Sequence, residues 1–240
     1  MQDHSAHVAA TVTEAAVPLN ASTTLDETLD SIVRAAVQTV PGFDHAGISI
    51  TLRDGTIETR AGTDQLVWDL DAIQYGLREG ACYDAIRGST VTVVDHAAHD
   101  QRWPHYMPEA AKRGLRSQLG VGLYADEQSL GGLNLYSTSS DTVADEAVLI
   151  AELFASHAAM ALGRAREVSQ LNEALQTRKL IGQAIGILME RYQLDDERAF
   201  QFLIRASQQG NIKLRAVAED LVATAIAQSR VGDAGHAGGP

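Results

Sequence analysis

Residues 180–225 read LIGQAIGILMERYQLDDERAFQFLIRASQQGNIKLRAVAEDLVATA and contain three helical patterns with almost no loop between them. In each pattern, apolar residues recur at spacings of three and four, which predicts a helix with one apolar face. The faces are Leu180, Ile181, Ala184, Ile185 and Leu188; then Ala199, Phe200, Leu203 and Ala206; then Leu214, Val217, Ala218, Leu221 and Val222. Asp195 is expected to cap the second helix and Asn211 the third. Because short helices are marginal alone, the three should pack together as a compact module.

This module resembles an ANTAR domain. The resemblance is carried by IGQAIGILMERY, by AF with LIRASQQ, and by N-x-KLR-x-VA, in that order. ANTAR domains are RNA-binding output domains, so the resemblance implies binding to a pair of small hairpins in nascent leader transcripts and hence antitermination. Ile185 stands where many family members carry Lys, a difference that either removes one phosphate contact or deepens the helix packing.

The polar outer faces of the second and third helices are the candidate RNA-binding surface. Fork-shaped arginine side chains and polar amides suit phosphates and the edges of unpaired loop bases. The resemblance therefore implies RNA contacts from Arg198, Arg205, Gln208, Asn211, Lys213 and Arg215. For Arg198, a surface pair with Asp195 is an equally good interpretation.

The charge of the chain is divided unevenly. The 240 residues carry a formal net charge of −12, but residues 1–163 account for −13, whereas residues 164–230 sum to +2. This asymmetry fits an acidic sensor in front of a neutral to basic output module. No apolar run approaches the ~18 residues of a membrane span, and the N-terminus lacks the pattern of a secretory signal. The single cysteine excludes an intrachain disulfide, and we expect a cytoplasmic protein.

The residues before the module predict an antiparallel sheet with helices around it, and thus an α+β fold. Strands are expected at 46–52, 56–61, 91–95, 117–124 and 129–136. Helices are expected at 22–40, 65–77 and 145–191, and residues 101–113 are expected to be mostly helical. This part resembles a GAF domain through LDETLDSIVRAAVQTVPGFDHAGISI, REGACYDAI, LGVGLY and SLGGLNLYS. The resemblance implies a fold that senses a small molecule or another signal, without naming the signal. No cofactor is evident.

Candidate chemistry in the sensor part is sparse. The ligand-pocket candidates are Trp68, Tyr75, Cys82, Trp103 and Tyr106, for each of which ordinary packing competes with a role in a cavity. Cys82 is either a redox-sensing thiol or, as we favour, a buried small side chain. The pair His96 and His99 lacks a second cluster at ligand spacing, so no metal site is predicted. Catalytic signatures are also missing, and we expect no enzyme.

The long helix predicted over 145–191 needs a partner for its exposed length. Its apolar series Val168, Leu171 and Leu175 favours a parallel homodimeric coiled coil. The predicted organisation is a flexible arm (1–20), a GAF-like sensor (21–163), a coiled-coil connector (164–179), an ANTAR module (180–228) and a disordered tail (229–240).

The predicted function is a signal-responsive transcription antitermination regulator. The alternative is a DNA-binding regulator with a GAF sensor, since the second and third helices of the module also suit a helix-turn-helix. Against that alternative, the third helix carries Val217, Ala218, Leu221 and Val222 and leaves few polar groups to read a groove.

Overall fold

The computed structural model describes residues 12–17, 19, 24–52, 54–88, 91–125 and 128–236. The chain divides into two compact units between Glu167 and Val168. The first unit contains a five-stranded sheet, and the second contains helices alone. The elements of the first unit are α1 (Leu25–Thr39), β1 (His45–Thr51), β2 (Ile57–Gly62), α2 (Gln65–Leu77), α3 (Ala81–Arg87), β3 (Val91–Val94), α4 (Tyr106–Lys112), β4 (Ser117–Ala125), β5 (Gln128–Ser137) and the first part of α5 (Asp145–Tyr192).

The sheet has the strand order β2-β1-β5-β4-β3, and all neighbouring strands are antiparallel. Successive side chains of a strand point to opposite faces, so the sheet divides its residues into two sets. Ile48, Leu119 and Leu133 point to the face that packs with α1 and α5 in the larger core. This arrangement confirms the predicted α+β class.

The opposite face of the sheet lies under α2, α3 and α4. It carries polar side chains, such as Ser49 and Asn134, that bond to residues of α2. Glycines let the helices approach the strands closely: a Cβ atom on Gly120 would lie 2.6 Å from the carbonyl oxygen of Ala81 at the start of α3. A smaller apolar core around Leu70, Tyr106 and other buried residues completes this layer.

Three segments of the first unit differ from the sequence prediction. Residues 12–17 are helical, and Val12 and Leu19 are buried in the larger core, although a flexible arm was expected over 1–20; the rest of that arm lies outside the described residues. Helix α4 begins only at Tyr106, because the preceding residues around Pro104 form bends and turns. Helix α3, which starts directly after Gly80, was not predicted.

The second unit contains the end of α5, helix α6 (Asp196–Gly210) and helix α7 (Leu214–His236). Its core consists of Ala184, Leu188, Ala199, Leu203 and Ala218. Ile185 is half-buried against this core, which agrees with the interpretation that it deepens the helix packing. The long predicted helix is confirmed, since α5 runs without interruption from Asp145 to Tyr192.

Of the two helix caps predicted for the second unit, one is found in the structure and the other is not. Asp195 caps α6 as expected, accepting a hydrogen bond from the backbone N–H of Arg198. Asn211 does not cap the third helix; it ends α6 in the left-handed conformation with φ of 49°. Asn tolerates this conformation better than most residues and therefore suits a helix C-terminus. Helix α7 continues to His236, into the segment expected to be disordered; residues 237–240 lie outside the described part.

Helix α5 is the one described helix that is long and apolar enough to cross a membrane. Its most apolar window has a mean hydropathy of 1.3, and half of that window is buried inside the protein. A core helix of a soluble protein passes the same test, so the window does not indicate a membrane span.

Candidate functional site

A buried polar cluster lies between α2 and the sheet in the first unit. At its centre, the carboxylate of Asp71 is fully buried and surrounded by uncharged donors. Its oxygens accept hydrogen bonds from Ser49 (3.3 Å), Thr59 (2.7 Å), Gln74 (3.4 Å), Asn134 (2.7 Å) and the hydroxyl of Tyr136. The Oδ1 atom of Asn134 is buried and has no partner among the described residues. A water molecule or a ligand atom would satisfy it.

Burial controls the protonation of this cluster. Desolvation raises the pKa of Asp71 to about 6, although the hydrogen bonds from Tyr136, Thr59 and other donors oppose the rise. Burial, followed by the charge of Asp71, also raises the pKa values of Tyr75 and Cys82. The thiol therefore stays protonated in the native protein, which does not suit a redox-sensing role.

A pocket of about 380 Å³ opens beside the buried cluster. It is lined by Asp54, Gly55, Thr56, Ile57, Tyr75, Arg78, Tyr83 and Arg87. Tyr75 connects the two regions, because its hydroxyl donates to Ser49 over 2.6 Å and lies 3.2 Å from the sulfur of Cys82. Arg87 lies over the ring of Tyr83, with its guanidinium carbon 5.4 Å from the ring centroid. The lining includes two guanidinium groups and one carboxylate, so its net charge is positive.

The structure separates the five predicted pocket residues. Tyr75 lines the pocket, whereas Cys82 and Tyr106 are buried, with the Tyr106 hydroxyl donating to Gln118. Trp103 is buried and donates from Nε1 to Asp84 over 3.0 Å. Trp68 is 39% exposed on α2. The ligand-binding role of all five stays a prediction.

Arg78, Tyr83 and Arg87 were not among the pocket residues predicted from the sequence. Arg78 ends α2 in the left-handed conformation with φ of 58°, and Tyr83 and Arg87 lie four residues apart on the unpredicted helix α3. That spacing was the available signal, because residues i and i+4 of a helix lie on the same face.

Another cavity, of about 430 Å³, is lined in part by Ala111, which belongs to the segment 101–113 that was predicted to be largely helical. His96 and His99 also line it, with Arg116 and Asp141, which form an ion pair. Within the described residues, no three His, Cys, Asp or Glu side chains gather as a metal site would require.

The predicted RNA-binding residues of the second unit are all exposed. Arg215 donates to Glu173 of α5 over 3.0 Å, and Arg198 lies 3.4 Å from Asp195. Lys213 and Arg205 form no ion pair with any other described residue. Lys213 immediately precedes α7, and its carbonyl accepts hydrogen bonds from the first turn of that helix. Exposed pairs of this kind contribute little, so the arginines remain accessible to a stronger anionic partner.

Two exposed aromatic side chains of the second unit were not among the predicted site residues. Tyr192 at the end of α5 and Phe202 on α6 stack with ring centroids 6.2 Å apart and an angle of 26° between the rings. Phe202 lies four residues after Arg198 and three before Arg205, so the three share one face of α6.

The predicted connector residues are exposed within the single chain. Val168, Leu171 and Leu175 keep 45%, 64% and 63% of their surfaces open. Exposed apolar side chains at helical spacing suit a partner helix.

The protein consists of two parts: an α+β unit with a polar interior and a pocket, and a helical unit with exposed basic residues. Family models identify both parts. The GAF domain model matches residues 22–163, and the ANTAR domain model matches residues 169–222. The chain therefore belongs to the GAF domain family and carries an ANTAR domain behind its GAF domain, as the two resemblances predicted.

Similar solved structures agree with the fold of the first unit. The GAF domain of an Acinetobacter phosphoenolpyruvate-protein phosphotransferase has a TM-score of 0.53 and 15% identity, over 68% of this chain and 98% of that chain. The corresponding Coxiella burnetii domain has a TM-score of 0.54 and 19% identity, over 68% and 96% of the two chains. The Stigmatella aurantiaca phytochrome photosensory core module has a TM-score of 0.54 and 13% identity, over 80% and 43%. At these identities the likeness shows the fold alone. No curated protein sequence matches the chain significantly.

Proposed function

We propose that the chain is a transcription antitermination regulator whose ANTAR domain binds hairpins in nascent leader RNA under control of a signal sensed by its GAF domain. The observation that carries the proposal is the ANTAR match over residues 169–222, together with the exposed basic residues of α6 and α7. Their guanidinium, ammonium and amide groups suit phosphates and unpaired bases.

The experiment compares binding of the full-length protein to a tandem-hairpin RNA and to duplex DNA of the same sequence. We expect the RNA to be preferred, with an affinity that falls as salt rises because phosphate contacts release counterions. Preference for the duplex DNA would instead support the helix-turn-helix alternative. Equal, weak binding to both would contradict nucleic-acid recognition by this unit.

For the input side, we propose that the pocket beside Tyr75 binds a small ligand with an acidic group. Arg78 and Arg87 give the pocket its positive balance, and Tyr83 offers an aromatic surface. Small anionic metabolites should raise the melting temperature of the wild-type protein, since binding to the native state alone stabilises it. Arg87→Ala should abolish this increase. Exposed Arg34 on α1 provides the control, and Arg34→Ala should retain the increase.

We also propose a homodimer through the connector residues Val168, Leu171 and Leu175. Their exposure in the single chain supports a partner helix. A dimer would present two ANTAR domains to a pair of hairpins, and two linked modules bind a paired target more tightly than either does alone.

A further inference from the structure

Tyr192 and Phe202 form an exposed aromatic pair on the ANTAR domain. They remain 55% and 44% exposed, although each ring stacks on the other. Two large rings left open to solvent at one place are a common mark of a binding surface. The other exposed aromatic residue of α6, Phe200, lies two residues before Phe202 and thus on a different face of the helix.

Cationic side chains flank the aromatic pair. Arg198 and Arg205 lie one helical turn before and after Phe202, so their guanidinium groups are on the same face of α6 as the ring. Among the described residues, the guanidinium group of Arg198 has one ion pair, the exposed contact with Asp195 at 3.4 Å, and Arg205 forms no ion pair. An apolar protein partner would leave both charges at the rim of its contact, whereas a nucleic acid would use them together with the rings.

We propose that Tyr192 and Phe202 are a stacking platform for unpaired RNA bases, with Arg198 and Arg205 binding the phosphates on either side. The inference rests on the proposed RNA binding and adds how the hairpin is recognised. Bases within a duplex already stack on their neighbours, so an aromatic platform selects nucleotides of a loop. The ligand is therefore a hairpin whose loop contributes at least one unpaired base.

The test titrates full-length protein with a pool of RNA hairpins that share one stem and carry a randomised loop. Phe202→Ala and Tyr192→Ala should each weaken binding by about 5-fold to 150-fold, the range that loss of one base–aromatic stack produces. Phe202→Tyr keeps a ring and should bind within about 2-fold of wild type. Phe202→Leu keeps apolar volume without the ring and should behave like the alanine variant. Ile226→Ala, which shortens a comparably exposed side chain of α7, is the matched control.

A second readout reports stacking directly. A 2-aminopurine base in the loop should lose fluorescence when wild-type protein binds, because stacking quenches it, and should keep it when Phe202→Leu binds at saturating concentration. Melting curves recorded by circular dichroism show whether each variant is folded. Because Phe202 is exposed, the melting temperature of Phe202→Leu is expected to be close to that of the wild-type protein.

The possible results distinguish failure of the proposed stacking platform from failure of the proposed RNA binding. If Lys213→Ala weakens RNA binding but Tyr192→Ala and Phe202→Leu do not, the platform is wrong and RNA binding stands. If the wild-type protein binds no hairpin of the pool, the proposed function fails and the platform fails with it. If the aromatic variants change only the molecular mass in light scattering, the pair is a contact between protein copies, which also overturns the inference.

Discussion

Replacing Asp71 by Asn should change how the stability of the GAF domain depends on pH. Asp71 is fully buried, and desolvation raises its pKa from 3.8 to about 6. Asn can retain the network, because its Oδ1 still accepts from Tyr136 and Asn134, while its amide can donate to the hydroxyl of Thr59. The substitution therefore removes the titration with little loss of packing.

The magnitude follows from the two pKa values. Between pH 3.8 and about 6 the native carboxyl binds a proton that the unfolded chain has released. The resulting stabilisation is complete below pH 3.8 and is lost as the pH rises through 6. From pH 5 to pH 8, linkage with these values gives a loss of about 1.4 kcal/mol in the wild-type protein. The Asn variant should lack this loss, so its stability relative to wild type should increase by about 1.4 kcal/mol over the same range.

Urea unfolding of the full-length protein at several pH values measures this difference. Tryptophan fluorescence reports selectively on the first unit, since Trp68 and Trp103 are the only tryptophans of the chain. If the stability curves of wild type and Asp71→Asn run parallel between pH 5 and 8, the pKa of Asp71 is not raised in the native protein.

Asp44→Asn is a contrasting variant. Burial raises the pKa of Asp44, but hydrogen bonds from Thr138 and Ser139 outweigh it and the net pKa is lowered. The native carboxylate therefore contributes stability at neutral pH that is lost as the pH falls below the unfolded value of 3.8. The difference between this variant and wild type should shrink on acidification, in the opposite sense to Asp71→Asn.

Three further predictions concern the connector, the RNA surface and the thiol. Leu171→Glu with Leu175→Glu should yield monomers in light scattering; an unchanged mass would exclude this interface. Lys213→Ala should weaken hairpin binding by about 1 kcal/mol and reduce the salt dependence by about one counterion, with little change in melting temperature. Leu203→Asp should instead unfold the ANTAR domain, because it buries a charge in the core. Cys82 is fully buried and should react with a thiol reagent only after denaturation, so fast labelling of native protein would contradict its placement.

The sequence predicted the helices and strands whose apolar patterns were long enough to be distinctive. Helix α2 has the predicted bounds, and α5 lies within one residue of its prediction. Helix α3 was missed because its seven residues are too short to establish a period between Gly80 and Gly88. The pocket residues on α3 were missed with it.

The buried polar cluster was also beyond the reach of sequence patterns. In β1 and β5, Ser49 and Asn134 alternate with apolar residues, a pattern that ordinarily indicates a solvent-facing side of a sheet. Here that face is covered by α2, and Asp71 supplies the acceptor that makes burial of these polar groups tolerable. Only the tertiary pairing of helix and sheet reveals which polar residues are internal.

The aromatic pair of the ANTAR domain depends on a feature that no apolar period encodes. The spacing of Arg198, Phe202 and Arg205 in the sequence predicts that they share one face of α6, but Tyr192 belongs to α5. Gln193 ends α5 with φ of 54°, a left-handed conformation that costs an ordinary residue about 1 kcal/mol. That turn and the cap at Asp195 reverse the chain within a few residues and bring Tyr192 against α6. Because the ring stacking is set by this turn, helical periodicity identifies the arginines but not the platform between them.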